Sequence, residues 1–274
     1  MTARRTAAVL VAITAALAGC ARAETPGGPV AAAVGPSALV GLWHVSDAQG
    51  ENDDTWLRLD ARDLTVLRPC GGIFGGWRAA GSTFVAATYG WSAECSTQQP
   101  EVPWLDEAAT YRLTADGADL LDDTGEIVAA LTVDGAPDPD DDQLGAYVAT
   151  PSPDPSALAA LVPAPLPAGV KPATTERIIG RWVPQGVVAT TDPGVTFDAS
   201  GRYSSTDGCN GTEGAWAVVE EGWFLATAGP TTAMWCEGAP VPTIVGTASR
   251  AGFDGATLVL LDHAGAELGQ FTRG

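Results

Sequence analysis

Cysteines, histidines and a surplus of carboxylates are the residues of this 274-residue chain with types suited to chemistry. Cys70, Cys95, Cys209 and Cys236 could ligate a metal as thiolates or close disulfides. No C-x-x-C spacing occurs among them, which argues against zinc. A general base is hard to find. His44 follows Trp43 and His263 falls in a predicted turn, and both read as surface residues rather than catalysts. Asp53 with Asp54, and Glu220 with Glu221, sit in predicted turns where solvated charge is the default. There is no G-x-S-x-G elbow, no H-E-x-x-H helix and no phosphate-binding glycine loop. The expectation is a protein that is not an enzyme, with no catalytic residue, no metal site and no cofactor.

The four cysteines belong to a signature that occurs twice. Leu39, Gly41 and Trp43 answer to Ile178, Gly180 and Trp182, and Cys70, Gly75 and Trp77 answer to Cys209, Gly214 and Trp216. Trp43 and Trp182, Cys70 and Cys209, and Trp77 and Trp216 each stand 139 positions apart. Anchors in one register, built on rare residue types, mark a tandem duplication. Four cysteines allow three pairings, and the duplication favours one bridge inside each half, Cys70–Cys95 and Cys209–Cys236. The spans are 25 and 27 residues. Each bridge would stabilise by about 3 kcal/mol in the chain-entropy model.

Short alternating runs separated by turns predict antiparallel strands in both halves. Gly194 to Phe197 and Arg202 to Ser204 flank a turn, Ala215 to Val219 and Trp223 to Ala226 make a second hairpin, and Thr257 to Leu261 with Glu267 to Thr272 a third. Ala118 to Leu121 and Ile127 to Val133 repeat that last hairpin in the first half. Trp104 to Leu113 and Pro242 to Ala251 carry the patterns of short helices. Trp43, Trp77, Trp182 and Trp216 are assigned to the cores. Of the nine tryptophans, Trp56, Trp91, Trp104, Trp223 and Trp235 are less constrained, and some could face a ligand. Asn210-Gly211 reads as a tight turn with positive φ, a role that Gly71-Gly72 would serve equally well.

The N-terminus predicts export. Arg4 and Arg5 precede an apolar run, Ala7 to Ala18, too short to span a bilayer. Leu17-Ala18-Gly19-Cys20 resembles the lipobox of bacterial lipoproteins, which implies cleavage before Cys20 and acylation of its thiol. Several acyl chains (palmitate among them) on one residue make a stable anchor. The expected organisation is a signal peptide at 1–19, a flexible tether at 20–37, a first domain at 38–133, a linker at 134–175 and a second domain at 176–274. The Asp138 to Asp142 cluster departs from a calcium loop, with Gln143 where glycine is needed and Ala149 where the bidentate glutamate belongs. A net charge of −19, from 33 acidic and 14 basic residues, excludes nucleic acid as a partner.

The second half resembles the META domain, the HslJ-like family, at Ile178 to Trp182, Gly208-Cys209-Asn210, Gly214 to Trp216 and Thr231 to Cys236. The first half keeps Gly41, Trp43, Cys70, Gly75, Trp77 and Cys95, but has Gly71 in place of the asparagine and lacks the Thr/Met run. The resemblance implies a mainly β fold of two antiparallel lipocalin-like β-barrel, META-type domains, each with a short helical insertion. What differs between the copies marks the candidate binding residues: Asn210, Thr231, Thr232, Met234 and Trp235, with Trp223 nearby. The function expected is non-catalytic binding, or envelope support under stress, by a monomer held to the extracytoplasmic face of the cell membrane through lipidated Cys20. The partner would be an envelope protein or a small ligand. The alternative is inhibition or sequestration of a basic target such as lysozyme, or of a small apolar ligand.

Overall fold

Alternating runs joined by short turns make each strand's sequence neighbour its nearest partner, so both halves wind up and down antiparallel. The computed structural model describes residues 35–92, 96, 98–137, 145–187, 191–232, 234 and 237–274. The signal segment, Cys20, the tether to residue 34, Cys95, Trp235, Cys236 and the Asp138 to Asp142 cluster lie outside the described residues.

The first half runs β1 (Gly41–Ser46), β2 (Trp56–Leu59), β3 (Asp63–Arg68), β4 (Gly71–Ala80), β5 (Thr83–Trp91), α1 (Pro103–Glu107), β6 (Thr110–Leu113), β7 (Gly117–Leu121) and β8 (Ile127–Thr132). Each strand pairs with the next, and β8 returns to β1 through Val45↔Leu131 and its neighbours, so this sheet closes on itself. Leu57, Val66, Trp77, Phe84, Trp104 and Leu120 are buried inside it. The connecting segment contributes α2 (Pro155–Ala159), β9 (Lys171–Pro172) and α3 (Thr175–Ile178). The second half runs β10 (Gly180–Pro184), β11 (Gly194–Phe197), β12 (Arg202–Thr206), β13 (Gly211–Val219), β14 (Trp223–Ala226), α4 (Val241–Thr247), β15 (Arg250–Asp254), β16 (Thr257–Leu261) and β17 (Glu267–Arg273). Its nine strands are ordered β14-β13-β12-β11-β10-β17-β16-β15-β9, and Trp223↔Arg250 also joins β14 to β15. Trp182, Phe197, Phe224, Phe253 and Phe271 fill a second, separate core. The mainly β, antiparallel expectation holds, in two sheets.

The repeated residues do the same work in both halves. Leu39 and Ile178 are fully buried at the end of a helical turn, and the indole N–H four residues on donates back to each: Trp43 to the Leu39 carbonyl at 2.8 Å, Trp182 to that of Ile178 at 2.6 Å. Trp77 and Trp216 reach across the preceding turn, to the carbonyls of Asp60 (2.7 Å) and Arg202 (2.9 Å). Gly75 and Gly214 are required by close approach of the next strand. A Cβ on Gly75 would fall against the Ala87 carbonyl oxygen, and one on Gly214 would lie 2.5 Å from that of Thr227. Gly75→Ala and Gly214→Ala are each expected to cost about 2 kcal/mol through forced backbone shifts. Gly90→Ala, whose Cβ would be 4.0 Å from Phe74, is expected to cost under about 0.5 kcal/mol. Urea midpoints of the three variants test this.

Four expectations need correction. The tether does not extend to residue 37, because Gly35–Leu39 form a 3-10 turn that buries Pro36 and Leu39. The first helix is shorter than the predicted Trp104 to Leu113, while α4 keeps to the one or two turns expected within Pro242 to Ala251. Each begins with a proline in its first turn, stops at an alanine in extended conformation (Ala108, Ala248), and gives way to a strand, β6 or β15, where cross-strand pairing outweighs local helical preference. The linker, whose prolines argue against any part in a sheet, does contribute to one. Lys171 and Pro172 pair with Phe253 and Gly252 at an edge, one of the places in a sheet where proline is tolerated. The rest drapes over both halves: Arg58 donates to Ala149, Tyr147 packs on Phe74, and the Arg250 guanidinium donates to the carbonyls of Pro163 and Ala164. Finally, positive φ falls on Gly208 and Gly71, not on Asn210 or Gly211.

Candidate functional site

The outer faces of β4 and β5 meet β13 and β14 of the other half. Arg78 sits in that contact. Strand alternation turns Trp77 into the first core and Arg78 outward, where the second half buries it to 8% exposure. Its Nη1 donates to the carbonyls of Trp77 (2.6 Å) and Arg62 (3.0 Å). Burial pushes the Arg78 guanidinium down to about 9, with the neighbouring Arg62 charge acting the same way and Asp63, Tyr203 and Tyr89 opposing. Arg62 in turn donates to the carbonyls of Gly246 (3.4 Å) and Thr247 (3.3 Å), the C-terminal end of α4, where a cation is favoured.

Beside this contact the halves diverge into a cleft of about 880 Å³, continuous through Thr88, Gln99 and Arg202 with a second depression of about 620 Å³. Asp106 and Glu107 from α1, Asp122 and Asp123 from the β7–β8 turn, and Glu213 from β13 bring carboxylates to it. Among the described lining residues Arg202 is the one cation, and none of those five carboxylates is in an ion pair among the described residues. Asp122 is held by its own turn. Its Oδ1 accepts from Thr124 and from the Glu126 N–H, and these bonds hold its carboxyl below the ordinary range. Asp106 is exposed at the cleft, and partial desolvation there raises its pKa. Arg202 opposes the rise, while Glu101 and Glu107 add to it. The cleft is therefore an anionic trough suited to a cation.

The sequence-predicted residues converge in part. Asn210 is buried, and its amide meets four partners. Nδ2 donates to Asp207 Oδ2 (2.9 Å) and the Met234 carbonyl (2.7 Å), while Oδ1 accepts from Thr232 Oγ1 (2.8 Å) and the Met234 N–H (2.7 Å). This clamp satisfies the side chain completely, so Asn210 shapes the loop and has no group left for a ligand. Thr231 adds only a bond to the Thr232 carbonyl, and Met234 stands exposed. The clamp borders the cleft, whose far end is lined by Gly211, Thr212 and Pro230. Trp223 is not part of it. Trp223 pairs with Val219, at the end of β13 remote from Asn210, and lies under the Arg250 guanidinium at 4.9 Å.

Cys70 and Cys209 are not free thiols, but their expected partners, Cys95 and Cys236, lie outside the described residues. His44 Nε2–H donates to the Asp53 carbonyl (2.8 Å), and His263 is an exposed turn residue. Trp104 is fully buried and donates to Glu51. Sequence inspection missed the cleft residues Asp106, Glu213 and Arg202. One signal was there to be found: Arg78 stands in a strand otherwise made of glycine, alanine and large apolar residues, where an unburied charge has no local reason to be. Compared with family models, curated proteins and solved structures, the chain finds no match in any of them.

Proposed function

We propose that the chain is a lipid-anchored envelope protein of two META-like barrels, one bridge in each (Cys70–Cys95 and Cys209–Cys236), which binds a cationic partner in the cleft and catalyses nothing. The observation that carries this is the cleft's lining, five carboxylates against one arginine. An anionic trough concentrates cations and speeds their encounter. The lipobox-like segment at Cys20 supports the anchoring, and among the described residues no helix is long and apolar enough to cross a membrane.

A basic protein such as lysozyme is the test ligand. Retention of the protein on immobilised lysozyme is expected at low salt, falling steeply as the Debye length shortens to about 8 Å near physiological ionic strength. Charge at Asp106 is needed for binding, so affinity should rise with pH through that group's elevated pKa and fall below it. The variant carrying Asp106→Asn, Asp123→Asn and Glu213→Gln is expected to lose at least about tenfold in affinity, roughly 1.4 kcal/mol. Unchanged retention by this variant would remove the cleft from the proposal.

A further inference from the structure

Arg62 and Arg78 bring two guanidinium groups into the junction of the halves, and no carboxylate is in ion-pair contact with either among the described residues. The acid that acts on both is Asp63, an exposed side chain, and it offsets only part of what burial does to them. A cavity of about 20 Å³ lies beside the pair, bounded also by Leu161 of the linker, Trp223 of β14 and Ser249 ahead of β15. Arg78 lines it, is more than nine-tenths buried, and among the described residues its Nε N–H has no hydrogen-bond partner. Its Nη1 is already spent on the Trp77 and Arg62 carbonyls.

A buried charge met only by carbonyl oxygens is costly, and so is a buried N–H without an acceptor. A cavity of this volume admits a particle the size of a water molecule or a halide. Water would accept the N–H but leave both charges uncompensated, which an anion would not. We propose that the junction cavity binds one small monovalent anion, chloride in the ordinary case, against Arg78 Nε and the Arg62 guanidinium. The anion neutralises the pair and ties the linker and both sheets together at one point. This site stands apart from whatever occupies the cleft.

The test uses the full-length protein in neutral detergent, melted at constant ionic strength with chloride exchanged for gluconate. The midpoint is expected to rise by about 3 °C between 1 and 100 mM chloride and to saturate as a single site does. Bromide should substitute for chloride, and crystals soaked in bromide should show an anomalous peak beside Arg78. Arg78→Met should abolish the rise, whereas Arg112→Gln, at an exposed ion pair on β6, should keep it. If Arg78→Met does not fold, Arg62→Gln carries the same expectation, and the bromide peak in the unaltered protein decides alone. Equal midpoints in chloride and gluconate, or no bromide beside Arg78, would overturn the site.

Discussion

Trp182→Ala is expected to destabilise the protein by about 4 kcal/mol, the range found when a fully buried large aromatic is truncated. Trp182 is 1% exposed and packs on Phe253 with ring centroids 5.7 Å apart. The Arg273 guanidinium covers its outer face at 4.2 Å, and its indole N–H satisfies the buried end of α3 at Ile178. The substitution therefore removes core volume, a cation–π contact and a hydrogen bond together. Trp182→Phe should fall between alanine and the unaltered protein, because it keeps ring packing but leaves the Ile178 carbonyl without its donor. Trp43→Ala should give a similar loss in the first half, somewhat smaller for a side chain 6% exposed. Urea denaturation followed by tryptophan fluorescence measures all three. A loss below about 1 kcal/mol for Trp182→Ala would contradict its place at the centre of that core.

Asn210→Ala is expected to cost about 3 kcal/mol, since it leaves Thr232, the Met234 backbone and Asp207 without their common partner. Asn210→Asp should be no rescue. It keeps the acceptor but loses both donors and places a second carboxylate against Asp207. The pH dependence gives an independent readout. The Asn210 amide, followed by backbone N–H groups, holds the Asp207 carboxyl below its ordinary value. A pKa depressed by folding contributes stability that is present above the unfolded-state value and is lost as pH falls through the lower folded-state value. Removing the amide should shrink that acid-side loss. Asn210→Ala should also expose the 230–234 loop to proteolysis, because the clamp ties it back to the start of β13. A variant with unaltered midpoint and unaltered proteolysis would show that the clamp holds nothing.

Local patterns and long-range geometry divide what the sequence can disclose. Strands such as Gly194–Phe197 and Thr257–Leu261 were legible because alternation and turn residues are properties of neighbours in the chain. The repeated tryptophans were legible as core for the same reason that duplication is visible at all: two copies preserve what both need. Asn210 was misjudged because turn chemistry is the local interpretation of Asn-Gly, whereas three of its four partners come from 22 to 24 residues further along and only Asp207 is local. The cleft was invisible. Arg202, Asp106 and Glu213 lie in three elements of two different halves, and only the docking of those halves gathers them.

That docking has a symmetry. The offset of 139 residues makes β4 the counterpart of β13 and β5 the counterpart of β14. In the contact between the halves, β5 touches β13 and β4 touches β14, so each strand meets its partner's counterpart. Such reciprocity is what a twofold axis produces in an isologous dimer. The halves of this chain therefore meet as two subunits of a homodimer would, with a covalent link added. A true homodimer must repeat every residue across its axis, and an arginine at the position of Arg78 would then enter the contact twice. Here the counterpart of Arg78 is Ala217. Fusion into one chain is what permits a single buried guanidinium on a face that exact symmetry would have charged twice.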